Sequence, residues 1–231
     1  MSDRPPTAMR RAYDHVKRRL LEGAYAEGQL LSEGAIASEL GISRTPVREA
    51  CLQLEAEGLL RLYPKRGALV VPIGPREIRE LFDARELIER HALAQAPDPA
   101  ALADDLDALV ARQREIASAP TPDRLAFAEA DRELHRTWVE AAGNAILLSV
   151  YDGLRDRQQR VAAVMIADGV TPMTALADEH AAIARALRDG DVALADRLLA
   201  DHLALARDRA GAAPRAGAAV GLRTAPVASD D

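Results

Sequence analysis

The sequence predicts a mostly α-helical protein in two parts: a small N-terminal domain of three helices and a β-hairpin, then an antiparallel bundle of six or seven helices. Its 231 residues leave room for two domains, and 48% of them are hydrophobic. Aromatic residues make up only 3% of the chain, so the cores must consist of Leu, Ala, Val and Ile, which suit closely packed helices. Apolar residues recur at helical spacing along most of the chain, and a pair of β-prone runs falls within residues 59–71.

Three helices are predicted first. The first covers about residues 8–23 and the second residues 32–40, after which Gly41 can adopt the left-handed conformation that ends a helix. The third follows Ser43, a favourable N-cap, and has Pro46 in its first turn. The apolar positions expected in the core of this part are Tyr13, Val16, Leu20, Leu21, Ile36, Ala37, Leu40, Val47, Ala50, Leu54 and Leu59.

A hairpin is predicted directly after the third helix. Two β-prone runs, residues 59–63 and 68–71, flank a four-residue turn that contains Pro and Gly and carries Lys65 and Arg66. A helix, a turn, a second helix and a basic hairpin together form a winged helix-turn-helix. In that fold the helix after the turn suits the major groove of DNA, and the wing suits phosphates or the minor groove.

Charge supports DNA binding by the N-terminal part. Arg44 and Arg48 are four residues apart, so they share one face at the N-terminal end of a helix, where acidic residues are normally preferred. Cations in that place imply an anionic partner, although a solvated charged face is the alternative. The whole chain has a net charge of −6, but residues 1–74 carry 11 basic and 9 acidic side chains.

The predicted bundle extends from Pro75 to Arg209. Its first helix carries Ile78, Leu81, Phe82, Leu87 and Ile88, and its second carries Leu102, Leu106, Leu109 and Ile116. The third covers residues 125–142, and a fourth stretch reaches about residue 167 as one helix or as two with a break near Gly153. A fifth helix follows Gly169 and Pro172 and ends at Arg188, and a sixth starts at Val192.

Four residues of the bundle form a candidate metal site. Asp131 and His135 are four residues apart, so both project from one helix face. His180 and His202 flank the turn at Gly190 by 10 and 12 residues, so in an antiparallel helix pair they lie at nearly the same level. One carboxylate and three imidazoles suit zinc, nickel or another divalent transition ion. The alternative for each is an ordinary surface position, as expected for His15, His91, Glu86 and Glu89.

Residues 9–73 strongly resemble the GntR family of bacterial transcription regulators. The resemblance rests on residues 43–50, Ser-Arg-Thr-Pro-Val-Arg-Glu-Ala, followed by Leu54-Glu55 and Glu57-Gly58-Leu59. It implies DNA contacts from the helix residues Ser43, Arg44, Thr45 and Arg48 and from the wing residues Lys65, Arg66 and Gly67, with Gly67 close to the DNA backbone. Cys51 and Glu27 depart from the family pattern, and both are interpreted as packing or loop variation.

Residues 76–206 resemble the FCD ligand-binding domain of the FadR-like branch of that family. The matching segments are residues 85–89, 131–135, 143–144, 179–180, 190–191 and 202–203. The resemblance implies that Asp131, His135, His180 and His202 bind a metal. It also implies that Arg85 pairs with the carboxylate of a small organic acid, for which a salt bridge to a neighbouring glutamate is the alternative. The full ligand set argues against the metal-free variety that binds acyl-CoA.

The sequence therefore predicts a transcription regulator rather than an enzyme. It is expected to bind an inverted-repeat operator in double-stranded DNA as a homodimer, and to respond to a small carboxylate metabolite at a metal site. Zinc is the first choice of metal, with nickel or manganese as alternatives. A pure metal-ion sensor and a metal-dependent hydrolase are the alternative functions.

The predicted boundaries are a disordered N-terminus at 1–8, the DNA-binding domain at 9–74, the effector-binding and dimerisation domain at 75–209, and a disordered tail at 210–231. The single cysteine excludes an internal disulfide framework. The first residues lack an apolar targeting segment, and no apolar run approaches the roughly 20 residues of a membrane span. A cytoplasmic protein without a membrane partner is expected.

Overall fold

The computed structural model describes residues 6–167 and 172–212. Backbone contacts divide them into two compact units, and the division passes through the first helix: residues 6–13 and 25–72 form one unit, and residues 14–24 and 73–212 form the other. Helices predominate in both, so the predicted fold class is confirmed. None of the described helices is long and apolar enough to cross a bilayer. Most of the two segments predicted to be disordered lies outside the described residues, but Ala8 and residues 210–212 are helical.

The N-terminal part of the chain contains the three predicted helices and the hairpin, and its first helix is divided between the two units. The helices are α1 (Ala8–Leu21), α2 (Glu33–Leu40) and α3 (Arg44–Ala56), and the strands are β1 (Leu30–Leu31), β2 (Leu60–Tyr63) and β3 (Gly67–Val70). The strands form an antiparallel sheet in the order β1-β3-β2, with Leu62 opposite Ala68 in the hairpin. The sequence did not reveal β1, because two residues are too short to show strand periodicity.

The turn between α2 and α3 has the predicted course but a different capping pattern. Gly41 ends α2 in the left-handed conformation, with φ of 64°. Ser43 occupies the N-cap position of α3, yet its side chain makes no capping hydrogen bond. The helix ends at Ala56, and Leu59, which the apolar pattern of this helix was expected to include, is buried beyond its end. Cys51 is fully buried, as its interpretation as a packing variation requires.

Gly67 is required by the packing of the wing itself. Its φ of 117° is rarely adopted by residues with side chains, and an added Cβ would collide with the carbonyl oxygen of Leu31 in β1. Sheet geometry therefore accounts for this glycine without any DNA contact.

The second unit is an all-helical bundle. In its described part the helices after residue 73 are α4 (Pro75–Gln95), α5 (Pro99–Ser118), α6 (Arg124–Ala141), α7 (Ala145–Asp152), α8 (Arg155–Ala167), α9 (Met173–Arg188) and α10 (Val192–Ala212). The fourth predicted stretch is thus two helices, and the predicted break at Gly169 lies outside the described residues. Helix α5 packs against α6 and α9, and α4 packs against α6 and α10. Leu87 was expected in the core but is 76% exposed.

Candidate functional site

Three histidines from three helices meet in the interior of the second unit. His135 lies on α6, His180 on α9 and His202 on α10, and each is at most 4% exposed. The Nε2 atom of His202 lies 3.3 Å from the Nε2 atoms of both His135 and His180. Each ring offers a nitrogen within 4.8 Å of those of the other two, a spacing that could hold one metal ion.

Asp131 completes the group that the sequence predicted. It precedes His135 by one helical turn, and its two carboxylate oxygens lie 4.0 Å from the Nε2 atom of His135 and 3.6 Å from that of His180. The structure thus brings the three histidines within reach of one ion and places Asp131 beside two of them. Three imidazole nitrogens and one carboxylate are a donor set that suits zinc and related divalent ions.

The outer nitrogen of each histidine has its own hydrogen-bond acceptor. The Nδ1 atoms of His135, His180 and His202 lie 2.7 Å from Glu89, 2.9 Å from Gln113 and 2.7 Å from Glu179, respectively. Since these partners accept hydrogen bonds through oxygen atoms, each Nδ1 carries the proton and each Nε2 presents a lone pair to the centre. Acceptors at this position orient the rings of metal-binding histidines.

Burial keeps two of the imidazoles in the metal-binding form. Desolvation lowers the pKa of His135, although the nearby carboxylate of Glu89 opposes the shift. Desolvation also lowers the pKa of His180 well below its usual value, and the neighbouring rings of His202 and His135 lower it further. Neutral imidazoles can donate their lone pairs to a cation.

Glu89 is the centre of a buried polar network. Its carboxylate has no exposure and accepts hydrogen bonds from Arg85 at 2.7 Å, Tyr151 at 2.8 Å and Trp138 at 3.2 Å, besides that from His135. Burial raises the pKa of Glu89, but the charge of Arg85 and the contact with His135 outweigh it and hold the pKa at about 2. The interpretation of Glu89 as a solvated acid was therefore wrong.

Arg85 forms the salt bridge with a glutamate that the sequence left open as an alternative, and it also faces a cavity. Its Nε donates to Glu89, and within the described chain no acceptor takes a hydrogen bond from its terminal nitrogens. The same guanidinium contributes to the wall of a cavity beside the histidines. Its salt bridge with Glu89 therefore leaves two donor groups for a ligand.

The cavity lies between helices of the second unit. The cavity has a volume of about 40 Å³. That volume suits a small ligand better than a long acyl chain, since one water-sized group takes roughly 10–15 Å³ of such space. Its polar wall includes Arg85, Asp131, His135 and His202, and apolar wall positions include Phe82, Phe127 and Leu176.

The outer partners of the histidines escaped the sequence analysis. Glu179 precedes His180 but bonds His202 instead, and it is also held by Arg209 at 3.0 Å. Gln113 comes from α5, which carries none of the predicted ligands. The one available signal was the four-residue spacing of Arg85 and Glu89, because it places both side chains on one helix face. Of the other two histidines, His91 is exposed as expected, whereas His15 is half-buried.

The predicted DNA-binding residues are exposed in the first unit. Ser43, Arg44, Thr45 and Arg48 lie in or just before the first turns of α3, and Lys65 and Arg66 lie in the wing turn. Both arginines lie close to the start of α2. Arg48 lies 3.5 Å from the carboxylate of Glu33, and the guanidinium of Arg44 lies so close to Gly34 that an added Cβ would be only 3.1 Å from a terminal nitrogen.

Comparisons with known proteins match two family models to the chain. The model of the FCD domain matches residues 80–205, and the model of bacterial regulatory proteins of the gntR family matches residues 8–70. The chain is 31% identical to the probable D-xylose utilization operon transcriptional repressor of Paenarthrobacter nicotinovorans, over 83% of each chain. It is 27% identical to the gluconate operon transcriptional repressor of Bacillus subtilis, over 81% of this chain and 78% of that protein.

A solved structure shares the whole fold. A GntR transcriptional regulator from Rhodococcus sp. RHA1 superposes with a TM-score of 0.71 at 22% identity, and the match covers 90% of this chain and 99% of the other.

Proposed function

Since the chain belongs to the GntR family of bacterial regulatory proteins, as a DNA-binding transcription regulator with an FCD domain, we propose that a metal ion and a small organic acid in the second unit control its binding to DNA. The metal would be held by Asp131, His135, His180 and His202. The observation that carries the proposal is the convergence of the Nε2 atoms of the three histidines. Each Nε2 presents a lone pair because the Nδ1 atom of the same ring is hydrogen-bonded to another residue. Zinc suits this donor set first, with nickel or manganese as alternatives.

Arg85 is the residue we assign to the organic acid. A metal ion bound at the histidines would supply positive charge that attracts the carboxylate of the acid. Arg85 contributes donors on the same cavity wall, where Glu89 fixes the position of its guanidinium. A guanidinium can form two parallel hydrogen bonds to one carboxylate.

The regulator works on DNA in the cytoplasm as a homodimer that places two α3 helices on an inverted repeat. Ser43, Arg44, Thr45 and Arg48 would contact bases and phosphates, and Lys65 and Arg66 the backbone beside the wing. The organic acid changes operator affinity only to the extent that it binds the two DNA-binding states of the dimer differently. Because the family and relatives are regulators and not enzymes, a hydrolase is not proposed.

An operator-binding titration tests the proposal. The operator would first be selected from random DNA with the zinc-loaded protein, and its Kd would then be measured with the apoprotein, with zinc alone, and with zinc plus small organic acids. The proposal requires that an acid changes the Kd only when zinc is present. A Kd that responds fully to zinc and to no acid would identify a pure metal sensor instead.

Replacing Arg48 with alanine should weaken operator binding by about 1–3 kcal/mol and reduce the slope of log K against log salt by about 1, because one cationic contact is lost. Fluorescence anisotropy at several salt concentrations measures both quantities. Arg112→Ala is the control, since Arg112 is an exposed arginine of α5 that pairs with Glu133. An equal loss in both variants would show that the overall charge, and not the helix face, determines binding.

Replacing Gly34 with alanine should have opposite effects on stability and on DNA binding. The glycine lies in the first turn of α2 with an ordinary φ, so alanine can raise stability by up to about 1 kcal/mol. The new methyl group would displace the guanidinium of Arg44 and weaken operator binding by about 1 kcal/mol or more. Thermal unfolding and anisotropy give the two readouts. Gly211→Ala is the control because that helical glycine has open space around it, and unchanged binding in Gly34→Ala would contradict the assignment of Arg44.

A further inference from the structure

The wall of the effector cavity contains polar side chains that the metal site does not use. Gln159 of α8 is only 6% exposed, and its Oε1 atom has no hydrogen-bond partner among the residues that the structure describes. Within the same residues, the Nε atom of Arg132 on α6 is also buried without a partner. Both residues line the same cavity as Arg85 and Asp131.

Unpaired buried polar atoms are costly. Each one loses its hydrogen bonds to water on folding and regains them only if a partner enters. The apolar wall positions, including Leu81, Val161 and Leu176, offer no such partner, and the amide nitrogen of Gln158 on the same wall also has none among the described residues. The amide of Gln159 therefore marks a place where a polar group of a ligand would be satisfied.

The chemistry of these atoms specifies that group. An amide presents both a donor and an acceptor, and the Nε of Arg132 presents a donor. A hydroxyl group, which both donates and accepts, can pair with either of them. A methylene at the same position would leave the amide unpaired, so the cavity discriminates between the two.

We propose that Gln159, with Arg132, reads a hydroxyl group of the effector, so that the protein responds to hydroxylated carboxylic acids and rejects their deoxy counterparts. This inference rests on the proposed function, in which Arg85 and the metal hold the carboxylate. Gln159 is then a specificity-determining residue that is distinct from the metal ligands and their partners.

Isothermal titration of the zinc-loaded, full-length protein with matched acids tests the inference. The pairs are L-lactate with propionate and L-malate with succinate, whose members differ only in one hydroxyl group. At least one hydroxylated acid should bind wild type about tenfold or more tightly than its partner. Gln159→Met should bring the ratio near one by weakening the hydroxylated acid alone. The variant should also be as thermally stable as wild type or more so, because an unpaired buried amide is removed.

The outcomes separate the inference from the function on which it rests. If wild type binds both acids of every pair with equal affinity, the proposed recognition of a hydroxyl group is overturned. A ratio that persists in Gln159→Met also overturns it, because the metal itself would then recognise the hydroxyl. A strong loss of stability in Gln159→Met would make the residue structural and overturn it as well. If no acid of any pair binds to zinc-loaded wild type, the organic-acid proposal itself fails.

Discussion

Replacing Glu89 with alanine is expected to lower the free energy of unfolding by about 3–5 kcal/mol, and the Tm by on the order of 10 °C. The change would leave the buried guanidinium of Arg85 without its counter-charge. It would also remove the acceptor for the Tyr151 hydroxyl and the Trp138 ring nitrogen, both of which lie in the core. Chemical denaturation of the metal-free protein measures the effect without a contribution from metal binding.

Glu86→Ala is the matched control for this change. Glu86 lies on the same helix and pairs with Arg90, but its side chain is 44% exposed, so its loss should cost no more than about 0.5 kcal/mol. Comparable losses in the two variants would contradict the central position that the structure gives to Glu89.

The second large effect concerns the metal. Replacing His202 with alanine should abolish the stabilisation that zinc gives to the wild-type protein, which is about 4 kcal/mol when zinc is present at 1,000 times its Kd. The Nε2 atom of His202 lies 3.3 Å from the Nε2 atoms of both other histidines, so its loss removes the central one of the three nitrogen ligands. Thermal unfolding with increasing zinc and metal analysis of the purified protein give independent readouts.

His91→Ala controls for the loss of an imidazole, because His91 is exposed on α4. It should keep the full response to zinc. An undiminished zinc response in His202→Ala would show that the ion binds elsewhere, and the proposed site would have to be abandoned.

Local sequence signals predicted what depends on local structure. Gly41, the basic hairpin and the four-residue spacing of Asp131 and His135 reflect turn chemistry and helix periodicity, which are readable in one segment. The convergence of His180 and His202 was also predictable, because a short turn joins their helices. The strand β1 was not, since its pairing with Leu69 and Ala68 depends on residues almost 40 positions away.

The outer layer of the site could not be predicted for a related reason. Glu89 contacts His135 across 46 residues of sequence, and Gln113 contacts His180 across 67. An acid within a helix looks the same in sequence whether it faces water or the core, and only the packing of α4 against α6 decides between them. For Arg85 the sequence left two alternatives open, a salt bridge and a contact with a ligand carboxylate. These alternatives do not exclude each other, because the salt bridge uses Nε and leaves the terminal nitrogen atoms of the guanidinium for a ligand.

The carboxylates around the histidines differ in how their charge is balanced. Glu89 pairs with Arg85 and Glu179 with Arg209, while Asp131 faces the histidines and shares the cavity wall with Arg85 and Arg132. A divalent ion bound beside Asp131 would add two positive charges to this wall. If the proposed ion and acid both bind here, we expect the acid to bind more tightly after the ion than before it.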